Sequence, residues 1–214
     1  TRTQRHTDTQ TRRRADTQTR RHADTQTHRT HRHTDAQTHR ATRSDNGTHR
    51  DRGHMPDFFN SGGGLRGYKR DLYEGGVRVP AVMVWPAKVK EARKISEPCI
   101  TSDYMPTILD ALGIPHPQPS YATDGRSLMP IINNEDLTRD KEIGIMFNKR
   151  IVWHKGDFKL LSYDGGKKYK LYNLVNDPSE KSDGANKKPE LVEKLKKDRL
   201  AWHESVKKSY EGSE

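Results

Sequence analysis

The sequence predicts an α/β fold that ends in a small α+β subdomain and is preceded by a tail with nothing to fold around. Three observations lead there. Residues 1–43 use only Thr, Arg, His, Gln, Asp and Ala. From Ser44 onward, short apolar runs alternate with Gly and Pro breakers and a short helical segment, the mixture of an α/β chain. Beyond residue 136, four short strand-like runs follow one another and lead into a long amphipathic stretch. The chain is read as three parts: 1–43, 44–135 and 136–214.

The first part carries 11 Arg against 4 Asp, which is +7 of the chain's net +11. The basic balance is therefore a property of the tail. Four loose repeats run through it, such as Thr7-Asp8-Thr9-Gln10-Thr11 and Ala23-Asp24-Thr25-Gln26-Thr27. Solenoid repeats stack apolar positions, and this segment has none, so it is expected to be disordered. A basic arm for nucleic acid and a His-rich metal tract are the two functional readings. Neither has aromatic interleaving or fixed ligand spacing, and no nucleic-acid partner is expected. The codons ACA, CAC, CAG, AGA and GAC are frames of one simple DNA repeat, and they encode Thr, His, Gln, Arg and Asp. Translated repeat DNA is the preferred account.

In the second part, Asn46-Gly47, Pro56 and Gly62-Gly63-Gly64 mark a loop over 44–76. Residues 77–85 read as a buried strand with a proline near its start. Residues 102–112 read as a short helix with Ile108, Leu109 and Leu112 inward and Gly113 as its stop. Loops around Pro115, Pro117 and Pro119 follow. In the third part, strands are predicted near 142–147, 150–154, 157–163 and 169–174, with Asp164-Gly165-Gly166 as a hairpin turn. Pro189 suits a first helical turn, after which Leu191, Leu195, Trp202 and Val206 share one face. No apolar run reaches membrane-spanning length. The single cysteine, Cys99, excludes an intrachain disulfide and is expected to be a small buried hydrophobe.

Several blocks carry chemistry. Ser44-Asp45-Asn46-Gly47 is followed by Leu65-Arg66-Gly67-Tyr68-Lys69, then Glu74-Gly75-Gly76-Val77-Arg78-Val79-Pro80. Downstream come Asp124-Gly125-Arg126-Ser127-Leu128, Leu171-Tyr172-Asn173-Leu174 and Asn176-Asp177-Pro178-Ser179-Glu180. In order and spacing, residues 44 to about 210 resemble the C-terminal part of type I sulfatases, the arylsulfatase-like members of the alkaline phosphatase superfamily. The resemblance implies a partial sulfatase fold over 44–135, a sulfatase C-terminal subdomain over 136–214, and a parent enzyme that cleaves sulfate esters with formylglycine and calcium.

A sulfate ester presents three oxygens to be neutralised as the S–O bond breaks, a task for a hard cation and an ammonium group. By resemblance, Asp45 and Asn46 would be calcium ligands and Lys69 would bind the sulfate; His49 sits near that turn in sequence and could touch substrate, though an exposed loop histidine is the preferred reading. Taken alone, Asp-Asn-Gly is also ordinary turn chemistry. Glu74 and Arg78 are expected to pair with each other and fix their loop. The formylglycine motif, Cys/Ser-x-Pro-x-Arg, does not occur in this sequence, so no catalytic nucleophile is assigned and this chain is expected to be inactive alone. With core strands missing, its core is expected to be small, with local order kept in the C-terminal hairpins and helix. The implied partner is a sulfated glycan or aryl sulfate, and the implied location is lysosomal or secreted. The alternatives are a noncatalytic sulfated-glycan-binding remnant and a phosphonate or phosphodiester hydrolase of the same superfamily.

Overall fold

The computed structural model describes residues 40–50, 53, 55–117, 123–135 and 139–212. The expected disorder of 1–43 lies outside the described residues except at its end. There, Arg40–Arg43 forms strand β1, which pairs antiparallel with β2, Ala81–Val84. Arg40 stands opposite Val84 and Arg43 opposite Ala81. Four residues assigned to the tail are thus strand, because main-chain N–H and C=O groups form a ladder whatever the polarity of the side chains.

The strand expected over 77–85 is shorter and lies elsewhere in the burial scale. Val77 closes a single helical turn, α1, Glu74–Val77. Pro80, which has no N–H to donate, precedes the ladder. All four β2 side chains are exposed, so the expected burial is overturned. Helix α2, Tyr104–Leu112, continues a 3-10 turn at Thr101–Asp103 and stops at Gly113, whose φ of 65° is left-handed. Only Thr107 is buried on it, and Leu109 is partly covered. Ile108 and Leu112, expected inward, are 58% and 65% exposed. What anchors α2 is polar: Asp103, fully buried, accepts the Ile100 and Arg126 amides and both terminal nitrogens of Arg139.

Helix α3, Met129–Ile132, has a proline in its first turn and was not expected. Leu128, Met129, Ile131 and Ile132 are buried there against Trp85 and Val89.

The four C-terminal strands appear as predicted, within a residue or so at the ends: β3 Ile143–Phe147, β4 Arg150–Lys155, β5 Phe158–Ser162 and β6 Lys170–Asn173. They form one antiparallel meander in chain order. The period of two splits its side chains cleanly between faces. Val152, Leu161 and Tyr172 pack with Leu72 on one face. Trp153, Leu160 and Leu171 pack with Leu195 of helix α4, Pro189–Glu211, on the other. Gly144 on β3 lies directly under Trp202: a methyl group there would sit 2.5 Å from the indole. Of the stripe predicted on α4, Leu195 is buried and Leu191 and Trp202 are partly so. Val206 is 36% exposed, because it sits a turn past Trp202 and outside the cluster that covers the sheet. Arg199 occupies the buried stripe, its guanidinium donating to the Tyr169 hydroxyl at 2.9 Å.

Candidate functional site

The site is assembled by close backbone stacking. The Asp45-Asn46-Gly47 turn is held by the Ser44 hydroxyl, which donates to the Asn46 carbonyl at 2.8 Å. The Gly47 amide then donates to the Gly76 carbonyl at 2.9 Å. A Cβ on Gly47 would fall 1.8 Å from the Gly75 carbonyl oxygen, so only glycine permits this approach. Gly75 is equally confined: its amide donates to Arg66 O at 2.7 Å, and a Cβ there would meet Gly67 O at 2.3 Å. The Lys69 amide donates to the Thr48 carbonyl at 2.7 Å. The Asp45-Asn46-Gly47 turn, Lys69 and the Glu-Gly-Gly block are therefore one stacked unit. Asp45, His49 and Lys69 are exposed and Asn46 is half-buried.

The unit stands on the C-terminal sheet. Arg70, at φ 78°, is a non-glycine residue in the left-handed region, and its carbonyl accepts from Arg150 of β4. Leu72 N donates to the Tyr163 hydroxyl at 3.1 Å. Ser179 Oγ donates to Gly64 O at 2.9 Å, and Arg66 donates to Glu180 O at 2.9 Å while lying 4.0 Å over the Tyr73 ring.

Glu74 meets its expected partner, Arg78, at the outer limit of an ion pair, and it has a closer one. Arg78 lies 4.0 Å away and is more than half exposed. The close partner is Lys159 of β5, 1% exposed, whose Nζ is 2.8 Å from Glu74 Oε1 and 2.9 Å from Glu180 Oε1. The other Glu180 oxygen accepts the Glu74 amide at 2.6 Å. Two carboxylates thus share one ammonium in the interior. Burial pushes the Glu180 carboxyl above its ordinary range, while the Lys159 charge pulls it back. This cluster joins the Glu-Gly-Gly block to the Asp-Pro-Ser-Glu turn. The signal that could have found it is a lysine in the alternating run Phe158-Lys159-Leu160-Leu161, where the period of two assigns it to a covered face.

The Asp124–Leu128 block is structural here. Asp124 accepts from the Trp202 indole at 2.8 Å, and Leu128 N donates to Thr107 Oγ1 at 2.9 Å, tying α2 to α4. Cys99, expected to be buried, is exposed, its thiol 3.4 Å from the Glu97 carbonyl.

As calcium donors, Asp45 and Asn46 offer the right hard oxygens, but calcium takes six to eight. Among the described residues no group of three His, Cys, Asp or Glu side chains converges to hold a metal. The donor chemistry fits the ion and the donor number does not. Among the described residues, too, no helix is long and apolar enough to cross a membrane.

The profile of the N-sulphoglucosamine sulphohydrolase C-terminal family matches residues 66–205. Human steryl-sulfatase is 37% identical over 82 residues, which are 38% of this chain and 14% of that protein. The N-acetylgalactosamine-6-O-sulfatase of Bacteroides thetaiotaomicron is 27% identical over 172 residues, 71% of this chain and 34% of its own length. A solved structure from work on glycosaminoglycan metabolism by the same bacterium superposes with a TM-score of 0.63 at 26% identity, over 79% of this chain and 39% of that one. The crystal structure of Ps i-CgsB, at 24% identity and TM-score 0.61 over 77% of this chain and 36% of that one, shares the fold. The chain spans about a third or less of the length of these curated relatives. A profile match over most of its length, to a C-terminal region whose relatives are sulfatases, places it: the chain belongs to the sulfatase family, in its N-sulphoglucosamine sulphohydrolase C-terminal part.

Proposed function

We propose that this chain supplies the sulfate-gripping side of a sulfuric ester hydrolase, with Lys69 as the ammonium that binds the sulfate oxygens and His49 at the edge of the substrate. Asp45 and Asn46 contribute two of the oxygens around a calcium ion, and the remaining ligands come from outside the described residues. The ion, when bound, supplies charge to the sulfate oxygens. The work of these residues is to hold the anion in place beside the turn. The chain itself has no Cys/Ser-x-Pro-x-Arg motif from which a formylglycine nucleophile could be made, so by itself it binds rather than turns over. The parent protein acts on sulfated glycans or aryl sulfates, in the lysosome or outside the cell.

The observation that carries this reading is the Lys69–Thr48 backbone bond at 2.7 Å. It ties an exposed ammonium-bearing residue to the loop that leaves the metal turn. The test is an NMR titration of the full chain with sodium sulfate at low ionic strength, where exposed charges are least screened. The Lys69 and Thr48 amides are expected to shift, and Lys69→Met is expected to abolish the shifts. Equal titration of the wild type and the variant would remove Lys69 from the role.

A further inference from the structure

We propose that Glu180 is a positioning residue for the loop that carries Lys69, and that it works as a proton-operated clasp. The loop is held when the Glu74–Lys159–Glu180 cluster carries one extra proton, and it loosens when that proton leaves. The inference rests on the sulfate reading of Lys69 and adds a regulation to it.

Glu180 grips both ends of the loop. Its carbonyl accepts from Arg66 at 2.9 Å, and its carboxylate accepts the Glu74 amide at 2.6 Å. Lys69 lies between those two residues. The loop also closes on itself there, the Gly75 amide donating to Arg66 O at 2.7 Å. Gly76 O takes the Gly47 amide, and the Lys69 amide donates to Thr48 O. A movement of Glu180 is thus passed through main-chain bonds to Lys69 and to the Asp45-Asn46-Gly47 turn. Glu180 itself has a φ of 54°, a left-handed value that side chains disfavour and that its surroundings must hold in place.

The cluster is one charge out of balance. Glu180, Glu74 and Lys159 are 0%, 8% and 1% exposed. Two carboxylates and one ammonium leave one net negative charge in the interior, where an unpaired charge is costly. The groups around it do not cancel that charge. From β4, His154 stands opposite Lys159, and burial, helped by the Lys159 and Arg139 charges, holds its imidazole below the ordinary value and so neutral at neutral pH. From β6, Tyr172 stands opposite Lys159 beside Tyr73, and burial pushes the Tyr172 phenol upward, so it stays neutral too. Arg78 of α1 is 4.0 Å from Glu74 and more than half exposed. Arg66 directs its guanidinium to the Glu180 carbonyl and the Tyr73 ring.

One proton restores the balance, and one atom is placed to take it. Lys159 donates its hydrogen bond to Glu74 Oε1. Glu180 Oε1, although 2.9 Å from Lys159 Nζ, is buried without a hydrogen bond. Burial accordingly raises the Glu180 carboxyl above its ordinary range. Between the ordinary and the raised value only the closed cluster keeps the proton. Over that window each rise of one pH unit favours release of the clasp by up to about tenfold. The loop is therefore tightest in acid.

The experiment follows amide hydrogen exchange of Gly47, Lys69 and Gly75 in the full chain from about pH 4.5 to 7.5, divided by intrinsic exchange rates. Wild-type protection is expected to fall as pH rises. Glu180→Gln keeps an oxygen for the Glu74 amide and cannot ionise, so its protection is expected to stay level. The same trend in both proteins overturns the proposal, as does level protection in the wild type. If the variant does not fold, a carbon-13 NMR titration of the wild-type Glu180 carboxyl decides: a midpoint above about 4.3 upholds the clasp, and one at or below it overturns the clasp. Inorganic sulfate is the ligand probe, and its affinity should vary less with pH in Glu180→Gln than in the wild type; equal variation overturns the coupling to Lys69. Sulfate binding that is indifferent to Lys69→Met sinks the sulfate reading instead, and the exchange result then decides the clasp by itself.

Discussion

The two halves of the described chain handle apolar surface in opposite ways. The β3–β6 meander is covered on one face by α4 and on the other by the loop carrying Leu72, and Leu160, Leu161, Leu171 and Leu195 are 2% exposed or less. The β1–β2 ladder and helix α2 present Val82, Val84, Ile108 and Leu112 at 50% exposure or more. β2 and α2 are at least as rich in apolar residues as the strands of the meander. The difference is whether the chain also supplies the surface that would cover them. It does for the meander, because the helix that follows carries a matching stripe. For β2 and α2, no described element lies over those side chains. A self-covering region keeps its structure by its own contacts; the other keeps its place through polar anchors such as Asp103.

Five substitutions probe that contrast. The largest effect is expected at the point where the two halves meet. Lys159→Met leaves Glu74 and Glu180 buried without a counter-charge and is expected to cost about 3–5 kcal/mol, measured by urea unfolding followed by tryptophan fluorescence. A cost under about 1 kcal/mol would mean the carboxylates find water or protons instead. Next, Leu161→Ala removes a fully buried side chain and should cost about 2–5 kcal/mol, while Ile108→Ala on the exposed face of α2 should stay within about 0.5 kcal/mol. Equal costs would erase the distinction between the halves. Gly144→Ala pushes a methyl into Trp202 and is expected to cost about 1–3 kcal/mol, with a change in the indole fluorescence. The smallest effect is one of pH. Because the Glu180 carboxyl is raised by burial, the folded state holds its proton to higher pH than the unfolded state does. Its contribution to stability is therefore present below the unfolded value and is lost as pH rises through the folded one. Urea midpoints from pH 4 to 7 should fall less for Glu180→Gln than for the wild type across that window.

Much of this was legible in the sequence, for identifiable reasons. The four strands of the meander show period-two alternation between turn residues, and α4 shows a 3.6-residue stripe opened by Pro189, so local pattern and tertiary burial agree. The stacking of the Asp45-Asn46-Gly47 turn on the Glu-Gly-Gly block was not legible locally, because Asp-Asn-Gly reads as ordinary turn chemistry while the contact is made by a segment about thirty residues on. Burial of 77–85 and of Ile108 and Leu112 was misjudged because periodicity reports which side a residue lies on, not whether anything covers that side. Glu74 pairs with Arg78 as expected, but its closer partner Lys159 was missed because the sheet brings in a residue 85 positions on. Cys99 was misjudged by residue type alone, since cysteine is usually buried.

The β1–β2 ladder has a consequence of its own. It is a two-stranded ribbon, so each strand has an outer edge with no partner strand among the described residues. The outer edge of β2 belongs to Ala-Val-Met-Val, a run without charge or proline. Such an edge is a template for pairing with another chain, and native sheets normally guard it with lysine, proline or a bulge. At high concentration the chain is expected to self-associate edge to edge through 81–84, and a lysine at Met83 would act as a gatekeeper at little expense to the rest of the fold.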